Sequence, residues 1–97
     1  IIVSNTATTD GGGVYNTVGG SASADYSAIF GNSPNDTVNL TPTNARTGAL
    51  RFVNPAGGDF HLQLSSAMVD SGDPVSSVGD DVDEQGRPFL GGFDVGA

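Results

Sequence analysis

The residues best suited to chemistry lie in one acidic stretch, "DPVSSVGDDVDEQGRP" at residues 73–88. It carries three closely spaced aspartates, Asp80, Asp81 and Asp83. Such groups suit calcium, which takes about six to eight oxygen ligands. Counted from Asp81, the residues begin like an EF-hand loop, but the last ligand position falls on Gly92, where a bidentate glutamate is required. The favoured interpretation is that the aspartates form turns by accepting hydrogen bonds from backbone amides, with Arg87 as an internal partner.

A calcium site is the alternative for these three carboxylates, and calcium is the only cofactor that the sequence suggests. The three side chains would have to converge on one point, and a chelator should then lower the melting temperature. The chain has no cysteine, so a zinc site built on thiolates is excluded.

Two further groups are candidates for catalysis. Asp70 and Asp73 flank Ser71-Gly72, but general acid–base work needs two supported carboxyls with separated pKa values, and the preferred interpretation is that Asp70 bonds turn amides. His61, the only histidine, alternates outward from Phe60 in a predicted strand, and a metal site there would need partners from the acidic stretch. The sequence therefore predicts a protein that is not an enzyme.

Composition restricts the partners. The formal net charge is −8 and lysine is absent, so nucleic acid and anionic membrane surfaces are excluded as favourable partners. The chain lacks the long apolar run of a membrane-spanning helix. It begins Ile1-Ile2-Val3 without methionine, and we expect a processed or excised portion of a longer protein.

Short apolar strands with asparagine turns recur along the chain. "IVSN" at residues 2–5, "IFGN" at 29–32 and "FVN" at 52–54 have the spacing of successive coils of a solenoid. Gly11-Gly12-Gly13 predicts a bend with positive φ or a close approach between chain segments, followed by a Val14-Tyr15 strand. Residues 33–48 are predicted to form a loop. Alternation of Phe60, Leu62 and Leu64 predicts a half-buried strand.

The C-terminal half carries five ordered motifs: "FVNP" (52–55), "GDFHL" (58–62), "SAMVDSGDP" (66–74), "DVDEQGRP" (81–88) and "FDVGA" (93–97). In this order they resemble the end of bacterial surface proteins with a choice-of-anchor Q domain, of the pectin-lyase-like kind. The chain departs from that pattern at Ala67, where proline is expected, and after Asp83, where glycine is expected. The resemblance implies a right-handed parallel β-helix end, extracellular location and further coils beyond this chain.

The sequence thus predicts an all-β fold: a right-handed parallel β-helix, or β-solenoid, of about two to three coils plus a C-terminal cap. We expect one domain over residues 1–97, with coils in 1–54, an inserted loop at 33–48, and C-terminal strands and cap in 55–97. The predicted function is a non-catalytic structural module at the cell surface that stacks on other coils, from homo-oligomer partners or a longer parent. The alternatives are a carbohydrate-binding or polysaccharide-active protein whose active coils lie elsewhere, and a calcium-stabilised adhesin.

Overall fold

The protein, described by a computed structural model over residues 1–76, 78–88 and 91–96, is built from short β-strands. The strands are β1 (Ile2–Val3), β2 (Val14–Tyr15), β3 (Ile29–Phe30), β4 (Thr37–Val38), β5 (Phe52–Asn54) and β6 (Asp59–Leu62). A 3-10 turn at Pro55–Gly57 is the only helical element in the described residues, which therefore contain no helix able to cross a bilayer. The all-β prediction is confirmed.

The chain divides into two compact units, Ile1–Arg46 and Thr47–Ala97. In the N-terminal unit, β1 pairs with β3 and β2 pairs with β4, both in parallel. Ile2 lies opposite Ile29 in this register, so "IVSN" and "IFGN" are neighbours in space. The predicted loop at 33–48 is wrong in part because it contains β4.

The glycine run allows these segments to approach closely. Gly11 has a φ of +66°, and a Cβ added to Gly12 would lie 2.2 Å from the carbonyl oxygen of Ser33. Such a separation is impossible for a real side chain, so glycine is required here. Both features predicted for this bend, positive φ and close approach, are present.

The C-terminal unit contains an antiparallel hairpin of β5 and β6, with Phe52 opposite Leu62. The turn begins at Asn54, whose side chain accepts a hydrogen bond from Gly57 N, and ends at Gly58, which has a φ of +82°. Asparagine at the start and glycine at the end are the residues that such a turn favours, since they satisfy the orphan amide and tolerate positive φ.

The predicted β-helix is wrong. The described residues form three separate two-stranded sheets, two parallel and one antiparallel, with no solenoid sheet. The third predicted coil strand, "FVN" at 52–54, pairs with β6 instead of stacking on β3. The tight turn at Pro55–Gly57 gives this strand a partner only a few residues away, and closing a short loop costs less entropy than a distant pairing.

The predicted half-buried alternation in β6 is also wrong. Phe60 is 58% exposed and Leu64 is 75% exposed, while Leu62 is only partly buried. Phe60 instead packs edge-on against Phe52, with ring centroids 5.4 Å apart. Alternation identifies the apolar side of a strand, but it does not indicate whether the same chain supplies the surface that covers it.

Candidate functional site

The hairpin and the acidic stretch meet at His61. Asp59 and His61 lie two apart on β6, where side chains at that spacing share a face. The Nδ1 atom of His61 lies 2.6 Å from Oδ1 of Asp59, and its Nε2 atom lies 2.6 Å from Oδ2 of Asp83. One imidazole therefore joins the strand to a loop more than twenty residues later in the chain.

These carboxylates change the proton affinity of the ring. The hydrogen bond to Asp59, as the largest cause, and the hydrogen bond to Asp83, as the next, raise the pKa of His61 above its ordinary value of 6.5. The hydrogen bond from the His61 side chain lowers the pKa of Asp59. The histidine side chain is 52% exposed, so water screens both attractions.

The geometry suits two hydrogen bonds, one from each ring nitrogen to a carboxylate, rather than a metal ion. A nitrogen and an oxygen that each lie about 2.0–2.2 Å from a tetrahedral metal are separated by roughly 3.3 Å, which exceeds the two observed contacts of 2.6 Å. Both ring nitrogens therefore have a carboxylate partner. His61 is solvent-facing as predicted, but its two partners were missed.

We expect the pH dependence of this contact to follow both shifted pKa values. The contribution of His61 to stability is full below pH 6.5 and is lost as the pH rises through its raised folded pKa. The contribution of Asp59 is lost as the pH falls below 3.8 through its lowered folded pKa. An NMR titration of the single histidine should give a midpoint above 6.5.

Substitution of either carboxylate separates the two causes. Asp59→Asn and Asp83→Asn should each lower the titration midpoint of His61, because each replaces a hydrogen-bonded carboxylate that raises the pKa of the ring. A wild-type midpoint at or below 6.5 would contradict the arrangement of all three side chains.

The three predicted calcium ligands have different roles. Oδ1 of Asp81 accepts hydrogen bonds from the backbone amides of Asp83 and Gln85, both at 2.9 Å, as predicted for a turn-forming aspartate. Asp80 forms an antiparallel bridge with Gly86, and Asp83 contacts His61. No group of three acidic or histidine side chains in the described residues is arranged to hold a metal ion. Calcium binding by these aspartates stays a prediction.

Asp70 and Asp94 tie the last described segment to the chain before the acidic stretch. Oδ1 of Asp94 accepts the Asp70 amide and Oδ1 of Asp70 accepts the Gly92 amide, both at 2.7 Å. Arg87 donates to the Asp94 carbonyl oxygen at 3.0 Å and lies over the Phe93 ring. Asp70 therefore bonds a backbone amide distant in sequence instead of the local turn amides that were predicted, and Arg87 bonds a carbonyl oxygen rather than an aspartate side chain.

A polar ladder runs along the parallel strands of the N-terminal unit. Asn5 follows β1 and Asn32 follows β3, and Oδ1 of Asn32 accepts both the backbone amide and the Nδ2 group of Asn5 at 3.0 Å. Nδ2 of Asn32 donates to the carbonyl oxygen of Ile2 at 3.0 Å. Asn32 is buried, so the ladder supplies hydrogen-bond partners for polar groups that the strand pairing removes from water.

Comparison of the chain with models of known protein families, with curated proteins and with solved structures found no match. The resemblance to choice-of-anchor Q proteins stays a prediction.

Proposed function

We propose that the chain is a non-catalytic structural module of an extracellular or cell-surface protein, and that strands from outside these residues, in partner chains or in the rest of a longer parent, complete its open strand edges. The observation that carries the proposal is that every strand in the described residues has one strand partner and no described strand along its other edge. An unpaired edge is a template for a further strand. The choice-of-anchor resemblance in the C-terminal motifs supports the surface location.

The small core supports the same proposal. Only three apolar side chains in the described residues are buried, Ala28, Met68 and Val95. Large apolar side chains such as Phe60, Leu64 and Val82 are more than half exposed. A domain of about 100 residues normally depends on a larger buried apolar surface, so association with a further protein surface would add the missing stabilisation.

The geometry of His61 supports the non-catalytic part. A general base needs a nitrogen within reach of the substrate proton, whereas both nitrogens here lie 2.6 Å from carboxylates. The contact instead joins the hairpin to the acidic stretch, which is a structural use of histidine.

The mass and assembly state of natively purified material test this proposal. Mass spectrometry of the chain beside light scattering of the particle should give either a longer polypeptide or an assembly of several chains. A 97-residue monomer in native material would contradict the proposal.

Carbohydrate binding is a second candidate because two aromatic rings are open to solvent. Tyr15 is 54% exposed and Phe60 is 58% exposed, and exposed rings can stack on sugars. Gel retardation by immobilised polysaccharide should then weaken in Tyr15→Ala or Phe60→Ala but not in Val18→Ala, which removes an exposed aliphatic side chain. Equal retardation of all three variants would contradict this candidate.

A further inference from the structure

The ladder of the N-terminal unit is closed at one end by a carboxylate. Oδ1 of Asn32 accepts the backbone amide and the side-chain amide of Asn5, as described above. Oδ1 of Asp36 accepts the same two groups from Asn32, at 2.8 Å and 3.1 Å. Because the donor pattern is repeated, the Asp36 carboxylate occupies the position that a third ladder asparagine would take.

The other end of the ladder is open. The Oδ1 atom of Asn5 accepts no hydrogen bond from the residues that the structure describes. The corresponding atom of the next strand, Oδ1 of Asn32, accepts two. Ile2 uses its backbone groups toward β3, where its amide donates to Ala28 at 2.8 Å. Backbone groups alternate between the two edges of a strand, so the Val3 amide points to the free edge of β1.

This edge reproduces the acceptor side of the existing strand pair. Ile1 corresponds by register to Ala28, whose carbonyl oxygen accepts the Ile2 amide, and Asn5 corresponds to Asn32. Val3 corresponds to Phe30 in the same way. A strand added in parallel at the free edge would therefore meet the Ile1 carbonyl oxygen, the Val3 amide and the Asn5 side-chain oxygen. These groups correspond by register to the groups of Ala28, Phe30 and Asn32 in the existing strand pair.

The geometry points to β1 as the docking edge for a parallel strand from a partner polypeptide with the pattern apolar-x-x-Asn. The partner's asparagine amide and side-chain NH₂ donate to Oδ1 of Asn5, and the Val3 amide donates to a carbonyl oxygen of the partner strand. This inference rests on the proposed function, since it names the strand that completes one of the open edges. Main-chain pairing supplies affinity in strand addition, and the asparagine supplies specificity.

A second copy of this chain does not meet that requirement through its own ladder. In a second copy, the strand at the other end of the ladder is β3, which carries the apolar-x-x-Asn pattern. The backbone amide and the Nδ2 group of its Asn32 already donate to Asp36. Docking on Asn5 would therefore require those hydrogen bonds to break first. The partner asparagine must instead have free donors.

Synthetic peptides provide the test, because a peptide of residues 27–33, "SAIFGNS", contains the β3 pattern without Asp36. Added to the whole chain at low protein concentration, it should shift the NMR amide signals of Val3 and Asn5 and slow exchange of the Val3 amide. The same peptide with Asn32→Leu keeps the backbone and apolar residues, and it should bind at least tenfold more weakly. A peptide of residues 27–37 restores Asp36 and should also bind more weakly.

Absence of these shifts, or equal binding of the Asn32→Leu peptide, would overturn the inference. Shifts of Val3 that appear with rising protein concentration and without peptide would mean that a second copy fills the edge, and would overturn it as well. The proposed function fails separately, when native material is a monomer of this chain alone.

Discussion

Asn32→Ala is expected to destabilise the N-terminal unit, Ile1–Arg46, by about 2–4 kcal/mol. The Asn32 side chain accepts two hydrogen bonds from Asn5 and donates to Ile2 and Asp36. Alanine removes all of these side-chain hydrogen bonds and leaves their partner groups unsatisfied. Each buried polar group left unsatisfied costs about 1–3 kcal/mol. Amide exchange and denaturant unfolding, followed in residues 1–46, should both report the loss.

Asn35→Ala is the matched control for this substitution. Asn35 is exposed, and its side chain donates one hydrogen bond, to Asp10 at 3.1 Å. Water can replace that contact, so the free energy of unfolding should change by about 0.5 kcal/mol or less. Equal destabilisation by the two substitutions would show that the ladder does not stabilise the strand pairing.

Met68→Ala is expected to destabilise the C-terminal unit by about 2–5 kcal/mol. Met68 is fully buried, and its carbonyl oxygen accepts the amide of Val95, another buried residue. Truncation of this fully buried side chain leaves a cavity, while the backbone hydrogen bond to Val95 remains available. Denaturant unfolding should give the loss, and amide exchange should accelerate most in residues 91–96.

The matched control is Val82→Ala, which shortens an apolar side chain that is 73% exposed. Because little of that side chain is removed from water on folding, its loss should change the free energy of unfolding by about 0.5 kcal/mol or less. If Met68→Ala has an effect as small as the control, the stability of the C-terminal unit does not depend on the buried Met68 side chain.

Local patterns predicted part of the fold. The recurrence of "IVSN" as "IFGN" indicated two segments that are neighbours, and the structure pairs them in parallel at Ile2 and Ile29. The Gly11-Gly12-Gly13 bend and the Val14–Tyr15 strand were also predicted. These features depend on residue type and short spacing, which the sequence displays directly.

The third repeat failed because two possible pairings competed. "FVN" has the composition of a coil strand, but the turn at Pro55–Gly57 brings Asp59–Leu62 back alongside it. The β-helix prediction treated similar composition as proof of similar pairing. A short loop decides otherwise, since the nearer partner is reached at lower entropic cost.

The candidate sites were predictable only where partners are close in sequence. Asp81 was expected to bond nearby amides, and it accepts the amides of Asp83 and Gln85. The contact between Asp59 and His61 was missed, although residues two apart in a predicted strand lie on the same face and the sequence shows this spacing. The contact of His61 with Asp83 depends on how the acidic stretch folds back on the hairpin, which no local pattern specifies.

Amide exchange of Val3 in native material and in the isolated chain tests the central claim most directly. If a partner strand completes the open edge of β1, the Val3 amide exchanges rapidly in the dilute isolated chain and slowly in natively purified material. Rapid exchange in both preparations would mean that the edge stays open in the native protein, and would contradict the structural role proposed for this chain.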